Sequence, residues 1–131
     1  MVAVVLVSHG RLAEAIVGSA KMILRCDMED VYYTCLKDDG IEVFEKSLME
    51  IAEKVKDKEV ILMADIKGGS PFNASISIFR NHKYRAITGM NLISVIDVLM
   101  NRETLSIDEA VDSAIANAKE AIEKVYINLE N

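Results

Sequence analysis

The sequence predicts a doubly wound α/β domain: a mainly parallel, four-stranded sheet with helices on both faces. Three observations predict it. Short, continuous apolar runs alternate with longer segments whose apolar residues step by three and four. Every strand-like run is followed by a helix-like one, the order that right-handed crossovers turn into a parallel sheet covered on both sides. At 131 residues the chain has the size of one domain, and no linker, charge run or internal repeat divides it, so residues 1–131 are read as a single unit.

Val2 to Val7 is unbroken apolar sequence, as expected of a strand buried on both faces. From Leu12, apolar residues recur at Ile16, Ala20 and Ile23 along one side of a helix. Val31 to Leu36 (VYYTCL) is β-branched and aromatic and forms the second strand. Ile41, Phe44, Leu48, Ile51 and Val55 mark a second helix, with Asp39 and Glu42 spaced as a capping pair. Val60 to Ala64 is a third buried strand. Gly68-Gly69-Ser70-Pro71 turns the chain into a third helix, with Ser70 as N-cap, Pro71 first in the helix, and Phe72, Ile76 and Phe79 on one side.

Tyr84 to Thr88 is the fourth strand, and Asn91 caps a short helix from Leu92 to about Met100. Ser106 and Glu109 form a capping box for a last helix whose inner face carries Ile107, Val111, Ile115 and Ile122. Val125 to Leu129 has strand-like composition.

Composition excludes several functions. Half the residues are apolar (51%) and 27% are charged, while six glycines and one proline leave no low-complexity segment. With 15 Lys and Arg against 21 Asp and Glu, the formal charge of −6 supplies no basic stripe for nucleic acid. Cys26 and Cys35 lie apart from any paired motif, which fits free thiols in a reducing compartment rather than a disulfide framework or zinc site. The opening apolar run is too short for a signal peptide or a membrane span, so a cytoplasmic location is expected.

Ligands of open parallel sheets bind beyond the carboxyl ends of the strands. There the first strand offers Ser8-His9-Gly10, the third Asp65 to Ser70, and the fourth Gly89-Met90-Asn91. His9 is either a turn histidine satisfied by a carbonyl or a nucleophile whose second nitrogen is tethered by an acceptor. Asp65 is either that tether or a turn carboxylate facing water. Gly68-Gly69-Ser70 is either a plain tight turn or a set of backbone N–H groups opening a helix toward an anion. The spacing matches neither a Walker A loop nor a dinucleotide fingerprint.

Arg11 and Lys67 flank these turns and read as solvated surface or as charges that offset phosphate or meet a partner; Asn73 and Asn91 read as capping or loop residues. Met22, Met28 and Met90 read as core or as an adaptable contact surface. His82 falls at the opposite end of the sheet from His9. Together the strand ends suggest a phosphate held beside an oriented histidine.

The segments MVAVVLVSHG, LMADIKGGSPFN and YRAITGMNL resemble the enzyme IIA domain of the mannose family of the bacterial phosphotransferase system, over essentially the whole chain. The resemblance implies a phosphocarrier that accepts a phosphoryl group from phospho-HPr and passes it to a IIB domain, which phosphorylates a sugar entering through the membrane IIC and IID subunits. It places the phosphorylated histidine at His9, the orienting aspartate at Asp65 and the phosphate-cradling turn at Gly68, Gly69 and Ser70. It also implies a homodimer exchanging a C-terminal strand, here Val125 to Leu129. Neither metal nor cofactor is implied.

Three rival readings compete with this one. A receiver domain needs an acidic pair after the first strand, where Ser8-His9 stands. A histidine phosphatase needs a second active-site histidine, which His82 does not supply. A regulatory module, or the phosphoryl-donor subunit of dihydroxyacetone kinase, would use the same site.

Overall fold

The computed structural model describes residues 1–128. In chain order the elements are β1 (Ala3–His9), α1 (Leu12–Leu24), β2 (Val31–Leu36), α2 (Ile41–Lys54) and β3 (Val60–Ala64), followed by α3 (Ser70–Phe79), β4 (Tyr84–Thr88), α4 (Leu92–Asn101) and α5 (Ile107–Ala121). The four strands form one sheet in the order β2-β1-β3-β4. All three pairings are parallel.

Burial explains the sequence patterns of the strands. β1 and β3 are central, and every apolar residue of both is buried, so each reads as an unbroken apolar run. β2 and β4 are edges and keep partly exposed positions. Val4, Leu6, Ile61 and Met63 face a core completed by Ala13, Ile16 and Ala20 of α1, Val95 and Val98 of α4, and Ala110 and Ala114 of α5. The other face, with Val5, Val7 and Leu62, packs against Phe44, Leu48 and Ile51 of α2 and Phe79 of α3. α1 thus lies on one face and α2 and α3 on the other, as right-handed crossovers require for this strand order.

Several boundaries differ from expectation for identifiable reasons. β1 runs on to His9 because Ser8 and His9 stay in register with Cys35 and Leu36. In α1 the inner stripe steps by four through Ile16, Ala20 and the half-buried Leu24, which turns Ile23 outward. Gly40 (φ 98°), not Asp39, is the N-cap of α2, so Glu42 falls one position short of a capping box. The N-cap of α3 is Gly69 rather than Ser70, and Ser70 precedes Pro71 in the first turn. The buried stripe of α3 is Pro71, Ser75 and Phe79; Phe72 and Ile76 flank it, half-buried against the same core.

Asn91 with Ser94, and Ser106 with Glu109, form reciprocal capping boxes. α5 ends at Ala121, which leaves Ile122 outside the helix and 79% exposed. Val125, Tyr126 and Ile127 are likewise exposed and form no strand among the described residues, since a strand needs a ladder partner. Leu129, the end of the expected strand, lies outside the described residues. Among the described residues no helix is long and apolar enough to cross a membrane.

Candidate functional site

β2 and β3 flank β1 on opposite sides, so the chain leaves β1 and β3 toward opposite faces of the sheet. That divergence opens a crevice at their carboxyl ends, where doubly wound domains bind ligands. His9 is the last residue of β1, and Asp65 immediately follows β3. With Val7 opposite Ala64 in the parallel register, the two strand ends lie side by side.

The turn carrying His9 is tied down on both sides. The Gly10 N–H donates to the Leu36 carbonyl (2.8 Å). Ser8, fully buried, accepts the Ala13 N–H at its Oγ (2.8 Å) and donates to the Gly10 carbonyl (3.2 Å). Ser8 thereby satisfies one open N–H at the start of α1, whose N-cap, Arg11, makes no side-chain cap.

Asp65 holds the imidazole from behind. Its Oδ2 lies 2.8 Å from His9 Nδ1 and accepts the His9 backbone N–H at 2.9 Å. Its Oδ1 accepts the Ile66 N–H at 2.9 Å. Burial opposes ionisation of this carboxyl, but the hydrogen bonds from the His9 backbone, the His9 ring and the Ile66 backbone outweigh it and hold the pKa below the ordinary value of 3.8. An ionised carboxylate only accepts, so the proton of the neutral imidazole resides on Nδ1 and Nε2 carries the lone pair. The His9 side chain is 46% exposed while that of Asp65 is 11% exposed, so the ring reaches solvent and its anchor does not.

The turn after β3 supplies a helix start against the ring. Gly68 takes a left-handed conformation (φ 83°), and its carbonyl accepts from the Asn73 side-chain amide at 3.1 Å. Gly69 packs so closely on His9 that a Cβ there would lie 2.7 Å from Cε1 and 3.4 Å from Nε2. No side chain caps α3, and Pro71 contributes no N–H, so the amides of its first turn are not claimed by a cap. An uncapped N-terminus beside a histidine nitrogen favours an anion.

The structure therefore brings together His9, Asp65, Gly68, Gly69 and Ser70. Arg11 is exposed and lies 3.5 Å from Glu14. Lys67 is also exposed, beside the turn. An open cleft of about 660 Å³ adjoins the site, lined by Gly10, Arg11, Leu36, Lys37, Asp38 and Asp39.

His82 is at the far end, its ring tilted against Phe79 (centroids 4.7 Å apart, planes at 51°) with Nε2 at 3.1 Å from the Ala52 carbonyl. Met90 is buried, Met28 packs half-buried on the core, and Met22 is exposed. Two contributors escaped the sequence reading. The role of Ser8 showed only as a small residue at a strand end, and the Ile66 contribution is a backbone N–H, invisible in residue type.

A doubly wound domain with a carboxylate-tethered histidine at its switch point, facing an uncapped helix N-terminus, defines a class suited to handling anions at a histidine. Comparison identifies the particular family. The family model described as "PTS system fructose IIA component" matches residues 3–115, and the chain belongs to this mannose–fructose–sorbose family of phosphotransferase-system EIIA components.

The chain is 32% identical over 126 residues to the Escherichia coli K12 "PTS system mannose-specific EIIAB component", covering 92% of this chain but 38% of that protein. It is 25% identical over 132 residues to the Bacillus subtilis "PTS system fructose-specific EIIA component", covering 99% and 90% of the two chains. Among solved structures, the mannose/sorbose IIA subunit from Enterococcus faecalis matches in fold, with a TM-score of 0.85 at 22% identity over 99% of this chain and 98% of that one.

Proposed function

We propose that this chain, residues 1–131 acting as one EIIA domain, is a phosphohistidine carrier of a sugar phosphotransferase system. His9 accepts the phosphoryl group from phospho-HPr and passes it to a IIB domain, which hands it to a sugar brought in by the IIC and IID membrane subunits. The name of the E. coli relative, an EIIAB component, supports a IIB partner. The domain works in the cytoplasm, as a homodimer joined through Val125 to Leu129. The scheme uses no metal or cofactor.

The observation carrying this reading is the Nδ1–Asp65 contact, which leaves Nε2 free, on a ring packed against Gly69 at the start of α3. Nε2 attacks phosphorus in line as the bond to the donor histidine breaks, and the donor nitrogen keeps that electron pair. The new N–P bond makes the ring cationic, and the Asp65 carboxylate stabilises that charge through Nδ1–H. The amides of Gly69 and Ser70 and the Ser70 hydroxyl hold the phosphoryl oxygens. Such transfer asks the protein for positioning and charge stabilisation more than for covalent chemistry.

The test is intact mass after incubation with phosphoenolpyruvate, enzyme I and HPr. One added phosphate is expected, labile to acid, stable to alkali and absent in His9→Ala. Labelling that persists in His9→Ala, or none on the unaltered chain with a competent donor, overturns the reading.

A further inference from the structure

We propose that Gly69 is a positioning residue whose lack of a side chain forms the seat of the His9 imidazole. Its backbone needs no glycine: φ is −79°, open to any residue. The requirement is spatial, because a Cβ at Gly69 would stand 2.7 Å from His9 Cε1 and 3.3 Å from Ile66 Cγ1. Gly68 presents the opposite case, with a φ of 83° that would strain any other residue and no neighbour within 4 Å of a built Cβ. One glycine of the pair serves the turn and the other serves the ring.

The clash at Gly69 falls on the far end of a flexible, half-exposed side chain. The fold therefore absorbs an added methyl group by letting the ring swing toward solvent. The site does not, because the swing breaks the 2.8 Å Nδ1–Asp65 contact and takes Nε2 from the helix start. Gly69 thus acts through His9. Its consequence for phosphoryl acceptance rests on the function proposed above.

The experiment compares Gly69→Ala and Gly68→Ala by nitrogen NMR of the His9 ring, without a phosphoryl donor. In the unaltered protein and in Gly68→Ala the ring is expected as the Nδ1–H tautomer with a hydrogen-bonded proton, although Gly68→Ala lowers Tm. In Gly69→Ala the Nδ1 proton signal is expected to lose its hydrogen-bond shift, with phosphate acceptance falling roughly a hundredfold, as for about 1 Å of misplacement. Ring signals unchanged in Gly69→Ala overturn the proposal.

A double-variant cycle covers the case of a poorly folding Gly69→Ala. Removing the ring removes the clash, so Gly69→Ala is expected to lower Tm less in a His9→Ala background. An equal loss in both backgrounds overturns the seat. Altered ring signals in a protein that never takes up phosphate would uphold the seat and refute the carrier function.

Discussion

Asp65 Oδ2 accepts two hydrogen bonds from the same residue, His9: one from its backbone N–H (2.9 Å) and one from its ring Nδ1 (2.8 Å). The first locks the end of β1 to the end of β3, and the second fixes the ring relative to that backbone. A single carboxylate oxygen thus couples strand register to imidazole orientation. Because it is ionised, it also selects the tautomer.

Asp65→Asn tests that selection. The amide nearly matches the carboxylate in shape. With its NH2 at the Oδ2 position it donates to Nδ1 and leaves the proton on Nε2, at the expense of the His9 backbone N–H that Oδ2 otherwise accepts. A nitrogen so protonated is no nucleophile. Phosphate acceptance is expected to fall about 10³–10⁴-fold, as when a histidine–carboxylate pair is given the wrong tautomer. Rapid-quench labelling measures the rate, and an unchanged rate removes Asp65 from the mechanism.

The same carboxylate predicts a pH dependence. Its folded pKa lies below 3.8, so its contribution to stability is fully present above that ordinary value and is lost as pH falls through the depressed one. The backbone amides of His9 and Ile66, which donate to it, should therefore titrate together with a midpoint below 3.8. Amide chemical shifts against pH give the midpoint. Separate midpoints, or a common one above 3.8, contradict the hydrogen-bonding account.

Most of this arrangement was legible in the sequence. Burial on two faces imposes unbroken apolar runs on β1 and β3, and strand ends at a switch point collect ligands whatever the fold's history. That logic puts His9 beside Asp65 although 56 residues separate them. What stayed hidden were contacts made by backbone or by the absence of atoms: the Ile66 N–H, and the missing side chain of Gly69 that leaves room for the His9 ring. Val125 to Ile127 has strand composition but no strand partner among the described residues of the single chain, since strand formation depends on an edge that composition does not reveal.

Ser8→Ala separates the turn from the chemistry. The Ala13 N–H is buried and donates to Ser8 Oγ, so removing the hydroxyl leaves a buried donor unsatisfied. The expected loss is about 1–3 kcal/mol of unfolding free energy. Urea denaturation measures it, and a loss within experimental error would show that α1 caps itself some other way. Phosphate acceptance should also slow, because His9 stands on the turn that Ser8 closes.

Ser70→Ala isolates the last part of the anion site. Ser70 is exposed, and its hydroxyl caps nothing in α3, so its removal should change stability by no more than about 0.5 kcal/mol. Under the proposed function transfer depends on it differently, because the hydroxyl would donate to charge that develops on the phosphoryl oxygens. Loss of one such donor is worth about a hundred- to a thousandfold in rate. The backbone amides of Gly69 and Ser70 remain, so acceptance should slow without disappearing. Parallel thermal melts and labelling time courses check both halves of this expectation. An unchanged rate would assign the phosphoryl oxygens to the backbone alone, whereas a lost fold would make Ser70 a structural cap after all.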